Sequence, residues 1–177
     1  SPFPRILAQG RHRKVLVPFM ALRLRANGVD PGADFNVWAR AAHLTETLRA
    51  RVYLQECGRV LDRLTSHGID HLVLKGPALA DVLYGSDPAL RHSDDLDVLI
   101  ADGDAERAHA ILRAAGFEVD GIPIGDEHHH LRRIRNRVGL AVEIHTRPTF
   151  LGLGSETAAL TRRSRAAVVS GVPTRMQ

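Results

Sequence analysis

The stretch LRHSDDLDVLI, residues 90–100, constrains the fold more than any other segment. From Asp95 onward, carboxylate and aliphatic side chains alternate with a period of two. That is the period of an extended strand, whose side chains point in turn to opposite faces. Leu96, Val98 and Ile100 then share one face, and Asp95 and Asp97 share the other. Such a strand buries its aliphatic comb against helices and presents two carboxylates together on the opposite surface. Residues 140–145, LAVEIH, repeat the plan: Leu140, Val142 and Ile144 form a comb, and Glu143 and His145 occupy the other parity. If the two strands are neighbours, a third carboxylate stands beside the aspartate pair.

The rest of the 177 residues supply what such a sheet needs, and the length suits one compact domain with helical flanks. Residues 34–66 read as a long helix. Trp38, Ala41, Ala42, Thr45, Leu48 and Val52 form an apolar stripe that continues through Cys57, Leu61 and Leu64. Asp34 is the expected N-cap, Gly68 the stop, and Gly58 a place for a bend or break. A shorter helix is expected over 15–24. Beyond Gly68, strands are expected at 71–75 and 95–100, with a short helix opened by Gly76-Pro77 and ended by Gly85 between them. A helix over 102–115 would be capped by Asp102 or Asp104, bury Ala108, Ile111 and Leu112, and stop at Gly116. An edge strand at 117–119, a hairpin pairing 130–135 with 140–145, a helix near 156–165 and a short terminal strand complete the reading. The fold class is therefore α/β (α+β), with an N-terminal helical region at 1–67 and a core domain at 68–177.

Composition narrows the partners. Net charge is +4 with a pI near 10.0, yet of the 24 basic residues only Lys14 and Lys75 are lysines, and the arginines are spread along the chain. The densest group, Arg132, Arg133, Arg135 and Arg137, lacks the interleaved aromatics of a base-stacking platform. It reads as a solvated face, or as a field that favours a phosphorylated substrate, and leaves nucleic acid a less favoured partner. No apolar run approaches the roughly 20 residues of a membrane span. The N-terminal residues show no apolar core followed by a small-residue cleavage site, so no secretory signal is expected. The lone Cys57 permits no internal disulfide, and a reducing, cytoplasmic setting is expected. The run His128-His129-His130 places at most two rings on one face of a strand. Zinc normally takes four ligands, so one of these histidines is expected to face the acid patch instead.

Three carboxylates on one patch repel one another and call for protons or a cation. Oxygen ligands in this number suit Mg²⁺, which keeps waters and binds substrate phosphates as well. Paired divalent ions serve in-line phosphoryl and nucleotidyl transfer. The segment LVLKGPAL adds a strand that runs into Gly76 and a helix opened by Pro77. The free N–H groups of such a turn hold anions, and Lys75 brings a positive charge to the same place.

In this order, the strand, glycine-bearing turn, helix, Asp-x-Asp strand and later acid-bearing strand resemble the signature of the DNA polymerase β-like nucleotidyltransferase superfamily. More narrowly, LKGPALADVLYG, RHSDDLDVLI and VEIHTRP resemble the bacterial group called the uncharacterised nucleotidyltransferase family, over about residues 69–147. The resemblance implies a polymerase β-like core, a mixed sheet flanked by helices. It implies an enzyme that uses Mg²⁺ (or Mn²⁺) to move an NMP group from an NTP, ATP among them, to an unidentified acceptor with release of pyrophosphate. The acceptor class stays open: small molecule, peptide, protein or RNA. By the same resemblance, Asp95 and Asp97 would coordinate the metal and the nucleotide phosphates. Glu143 would be the third carboxylate, either a metal ligand at the attacking acceptor or a general base. Gly76 with Lys75 would hold the triphosphate. Arg91 and Ser93 would reach phosphate or brace the loop, and His145 would orient Glu143 or touch substrate.

The sequence departs from the superfamily in one motif. The usual Gly-Ser of the phosphate turn is Gly76-Pro77 here, so a hydroxyl and an N–H donor are missing, and phosphate handling leans on Lys75 or on other groups. That departure favours a rival reading, a catalytically inactive module kept for nucleotide sensing or partner binding. The intact acid set opposes it. Hydrolysis of phosphoesters by the same acids is a weaker third reading.

Overall fold

The structure is a computed structural model that describes residues 13–77, 80, 87–120, 130–147 and 154–176. The chain divides into two compact units, Ser1–Val52 with Ala80–His92, and Tyr53–Leu79 with Ser93–Gln177.

The first unit holds helix α1 (Arg13–Ala26), the first part of helix α2 (Ala33–Ser66) and a 3-10 turn at Pro88–Leu90. Both helices are where the periodicity puts them, but α2 starts and faces differently. Its first helical bond runs from the Asn36 N–H to the Gly32 carbonyl, 3.1 Å, so Gly32 is the N-cap and Asp34 lies inside the first turn. The Asp30 carboxylate sets up this start by accepting from the Gly32 N–H at 3.0 Å and from Asn36 Nδ2 at 3.2 Å. The inward stripe is rotated from the expected one. Ala39, Ala42, Glu46 and Ala50 are buried, whereas Leu48 and Val52 are about half exposed. The reason is Glu46, which looks like a surface residue. Its carboxylate accepts from Arg49 Nε at 3.0 Å and bonds His92 Nδ1 at 2.9 Å, so the charge is paired and can be buried. Small alanines on either side let the helix pack closely. Val17, Ala21, Ala39 and Ala42 form the small core of this unit, with Phe35 edge-on to Trp38 against it.

The second unit is built on a sheet. Its strands are β1 (His71–Val73), β2 (Asp95–Ile100), β3 (Glu118–Val119), β4 (Ile134–Arg135), β5 (Ala141–His145), β6 (Arg165–Val169) and β7 (Val172–Met176). Among the described residues these seven lie in the order β3-β4-β5-β2-β1-β7-β6. Pairing is mixed: β2 is parallel to β5 and antiparallel to β1, and β7 is parallel to β1. The aliphatic combs behave as the alternation requires. Leu96, Val98 and Ile100 join Val142 and Ile144 in one buried core. The second part of α2 packs there through Cys57, Leu61 and Leu64, and helix α3 (Asp102–Ala114) through Ala105, Ala108 and Leu112. The fold is thus a mixed α/β sheet flanked by helices, consistent with a polymerase β-like nucleotidyltransferase core.

Several local expectations change. Helix α2 runs unbroken through Gly58. A Cβ at that position would lie 2.9 Å from the Cβ of Ser170, so the missing side chain admits the β6–β7 turn rather than breaking the helix. The stop at Gly68 is as expected, with the Ile69 N–H bonded to the Leu64 carbonyl and the Gly68 N–H to that of Thr65, both 2.9 Å. Helix α3 starts after Ala101, which offers no capping side chain. Asp102 and Asp104 lie in the first turn, where their charge favours the helix dipole. At the C-terminal end, helix α4 (Gly154–Arg163) stops before Arg165, and two strands follow instead of one. Ser170 and Gly171, with φ of 51° and 84°, make the two-residue turn that joins them as a hairpin. The end expected at Gly85 for the short helix, the loop expected over 121–127, His128 and His129 lie outside the described residues.

Candidate active site

The parallel pairing of β2 and β5 sets Asp97 directly across from Glu143, and Leu99 across from His145. Asp95, Asp97, Glu143 and His145 therefore project from the face opposite the aliphatic combs. Side-chain exposure falls sharply across this face, with Glu143 at 21%, His145 at 4% and Asp97 at 1%.

A carboxylate this deeply buried needs compensation. Asp97 Oδ1 receives it from two sides, His145 Nε2 at 2.8 Å and Lys75 Nζ at 3.2 Å. Burial alone would raise the Asp97 pKa. The His145 hydrogen bond and the Lys75 charge outweigh it and hold the carboxyl below its usual range. An ionised Asp97 only accepts, so Nε2 of His145 carries the donated proton. Asp95 goes the other way. Burial raises its pKa, and the charges of Asp97, Asp94 and Glu143 add to the effect, with Lys75 offsetting them in part. The two aspartates of the D-x-D motif thus differ electrostatically although they share one face.

Donor atoms of Asp97, Glu143 and His145 lie within 4.8 Å of one another and form a candidate metal-chelating triad. The donor chemistry fits a hard divalent cation. Asp97 Oδ2 is buried with no hydrogen-bond partner among the described residues, and Glu143 is the residue opposite Asp97 across the strand pair. With His145 Nε2 donating to Oδ1, the carboxylate oxygens are the groups best placed to ligate, and Asp95 senses the same charges from the end of β2.

Gly76 lies beside this face in a backbone conformation, φ of 61°, that L side chains rarely adopt. A Cβ there would lie 2.8 Å from the Tyr53 hydroxyl oxygen, 3.5 Å from the Asp95 carbonyl and 3.7 Å from Ser93 Oγ. The turn therefore packs on protein groups. The Tyr53 hydroxyl donates to the Asp95 carbonyl at 2.6 Å, and the buried Ser93 side chain hydrogen-bonds with Tyr53. Pro77 is helical directly after Gly76, and most of the short helix expected to follow it lies outside the described residues.

A family model described as an uncharacterised nucleotidyltransferase matches residues 4–176, nearly the whole chain. The chain belongs to that nucleotidyltransferase family. Neither the curated proteins nor the solved structures contain a significant match to it.

Within this family member, Lys75, Gly76, Ser93, Asp95, Asp97, Glu143 and His145 all belong to the second compact unit, whereas Arg91 belongs to the first, at the C-terminal end of the 3-10 turn. Of the HHH run, His130 is the described residue, and it lies beside His145. Its backbone pairs with His145, and the two ring centroids are 5.4 Å apart. Two members of the arginine cluster are engaged with an acid, since Arg135 Nε lies 2.7 Å and Arg133 Nη2 3.1 Å from Asp120. Tyr53 is the site residue that sequence reading passed over. Its signal is a spacing of four from Cys57, on a stripe expected to run through Val52 instead.

Proposed function

We propose that this nucleotidyltransferase moves a nucleoside monophosphate from an NTP, with Mg²⁺ or Mn²⁺, to an acceptor hydroxyl, phosphate or amine. The acceptor atom bonds to the α-phosphorus, the bond from that phosphorus to the bridging oxygen breaks, and pyrophosphate leaves. The reading is carried by one observation: Asp97 faces Glu143 across parallel strands, with Oδ2 buried and without a hydrogen-bond partner among the described residues. Asp95, Asp97 and Glu143 would hold the metal, which supplies charge neutralisation at the phosphates and alignment of the attack. Glu143, the most exposed member of the triad, would either ligate the metal at the attacking acceptor or, as general base, take the acceptor's proton. His145 keeps Asp97 ionised and oriented. Lys75 and the Gly76 turn would meet the β- and γ-phosphates, with Ser93 bracing the turn through Tyr53 and Arg91 assigned to phosphate from the family motif alone. Among the described residues no helix is long and apolar enough to cross a membrane. A cytoplasmic setting, expected from the lone Cys57, fits a reaction that draws on NTPs.

The test is label transfer from α-³²P NTPs with Mg²⁺ or Mn²⁺ to panels of small molecules, peptides and RNA, beside Asp97→Asn. Transfer by the native chain and none by the folded variant is the expected result. NTP binding without turnover across all panels would favour the inactive-module reading, and steady NTP breakdown without labelled product would favour hydrolysis.

A further inference from the structure

Lys75 is poorly placed for a residue whose sole task is to hold phosphate. Its ammonium is spent on Asp97, 3.2 Å from Oδ1, although 55% of its side chain is open to solvent. Asp97 is the carboxylate that lies opposite Glu143 across the strand pair, and its other oxygen, Oδ2, is buried with no hydrogen-bond partner among the described residues. A divalent cation held by that carboxylate would compete with the ammonium for the same negative charge, on an Asp97 side chain that is only 1% exposed. The lysine stem is flexible and largely exposed, so the ammonium can leave without disturbing the core.

We infer that Lys75 is an exchangeable cation: it neutralises Asp97 in the metal-free protein, is displaced when a divalent cation binds, and is thereby released to bind the phosphates of the nucleotide. The inference rests on the metal reading above and adds the order and coupling of ligand binding. Cation and phosphate then bind cooperatively, because the cation frees Lys75 for phosphate and phosphate draws Lys75 off the cation's carboxylate, and linkage makes the effect reciprocal. It also gives a part in phosphate binding to Lys75, directly before a turn that lacks the usual serine.

Two measurements test it without relying on turnover. First, Mn²⁺ affinity is read from the free-ion electron paramagnetic resonance signal for the native chain and for Lys75→Met. Removing the competing ammonium is expected to tighten binding roughly tenfold, within the usual range of coupling between sites. Second, the chain has only two lysines, so ¹³Cε labelling gives two signals, with Lys14 as the internal reference and Lys75 identified by its loss in Lys75→Met. Mg²⁺ should move the Lys75 signal and leave that of Lys14 in place, and inorganic pyrophosphate added to the Mg²⁺-loaded protein should move it again. Equal or weaker Mn²⁺ affinity in the variant, or a Lys75 signal unmoved at saturating Mg²⁺, overturns the exchange while the metal site stands. A signal that answers Mg²⁺ but ignores pyrophosphate overturns the release to phosphate. Absence of Mn²⁺ binding in both proteins overturns the inference together with the metal reading.

Discussion

The Tyr53 hydroxyl bonds the Asp95 carbonyl at 2.6 Å, tying helix α2 to the first residue of the acid-bearing strand. The same oxygen fills the space where a side chain on residue 76 would stand. Helix, glycine turn and D-x-D strand therefore meet at one phenol, which burial keeps firmly protonated as a donor.

Tyr53→Phe keeps the ring and deletes only that donor, leaving a buried carbonyl short of a partner. The expected loss is about 1–2 kcal/mol, read by urea denaturation, together with a rise in the KM for NTP as the turn loses its brace. Unchanged stability and KM would show that the bond does no positioning.

Gly76→Ala meets two obstacles at once. An alanine at φ of 61° costs about 1–2 kcal/mol, and its Cβ would lie 2.8 Å from the Tyr53 oxygen. Combining it with Tyr53→Phe removes the second obstacle only. The double variant should therefore be more stable than the sum of the single effects predicts. Strict additivity in denaturation would mean that the phenol and the turn do not touch.

Glu46 makes stability depend on pH in a defined direction. Burial opposes its charge, but the bonds from His92 and Arg49 prevail and its folded pKa lies below the ordinary 4.5. A lowered folded pKa contributes stability that is fully present above about pH 4.5 and is lost as pH falls through the lower folded value. Glu46→Gln should be less stable than the native chain at pH 7, with the gap in melting temperature narrowing toward pH 3. A gap that is constant with pH would deny the carboxylate this role.

Cys57 is fully buried, and burial pushes its thiol up to about 12. Reactivity follows the thiolate and access to it. Ellman's reagent at pH 8 should leave the native chain unmodified over minutes and titrate one thiol in denaturant. Prompt modification of the native chain would contradict the packing of α2 on the sheet.

The alternation in residues 95–100 and 140–145 was readable because side-chain direction in a strand is a local, periodic property. It correctly separated Leu96, Val98 and Ile100 from Asp95 and Asp97, and Val142 and Ile144 from Glu143 and His145. The inward face of α2 was less readable. Apolar content pointed to Leu48 and Val52, but a paired acid can be buried, and the partner of Glu46 that matters most, His92, is 46 positions away. The C-terminal hairpin was readable only in part, since its β7 strand is held by β1, about a hundred residues earlier in the chain.

The sequence by itself determined the two acid-and-aliphatic strands, the glycine turn before them and the helices that could cover one face, because each is set by the spacing of near neighbours. Tertiary structure decided that Asp97 lies opposite Glu143, that Lys75 and His145 share its Oδ1, and that Tyr53 sits between Gly76 and Asp95. Those relationships join residues far apart along the chain. They depend on which strands pair and in what register, and that is settled by burial of the whole core rather than by any local pattern.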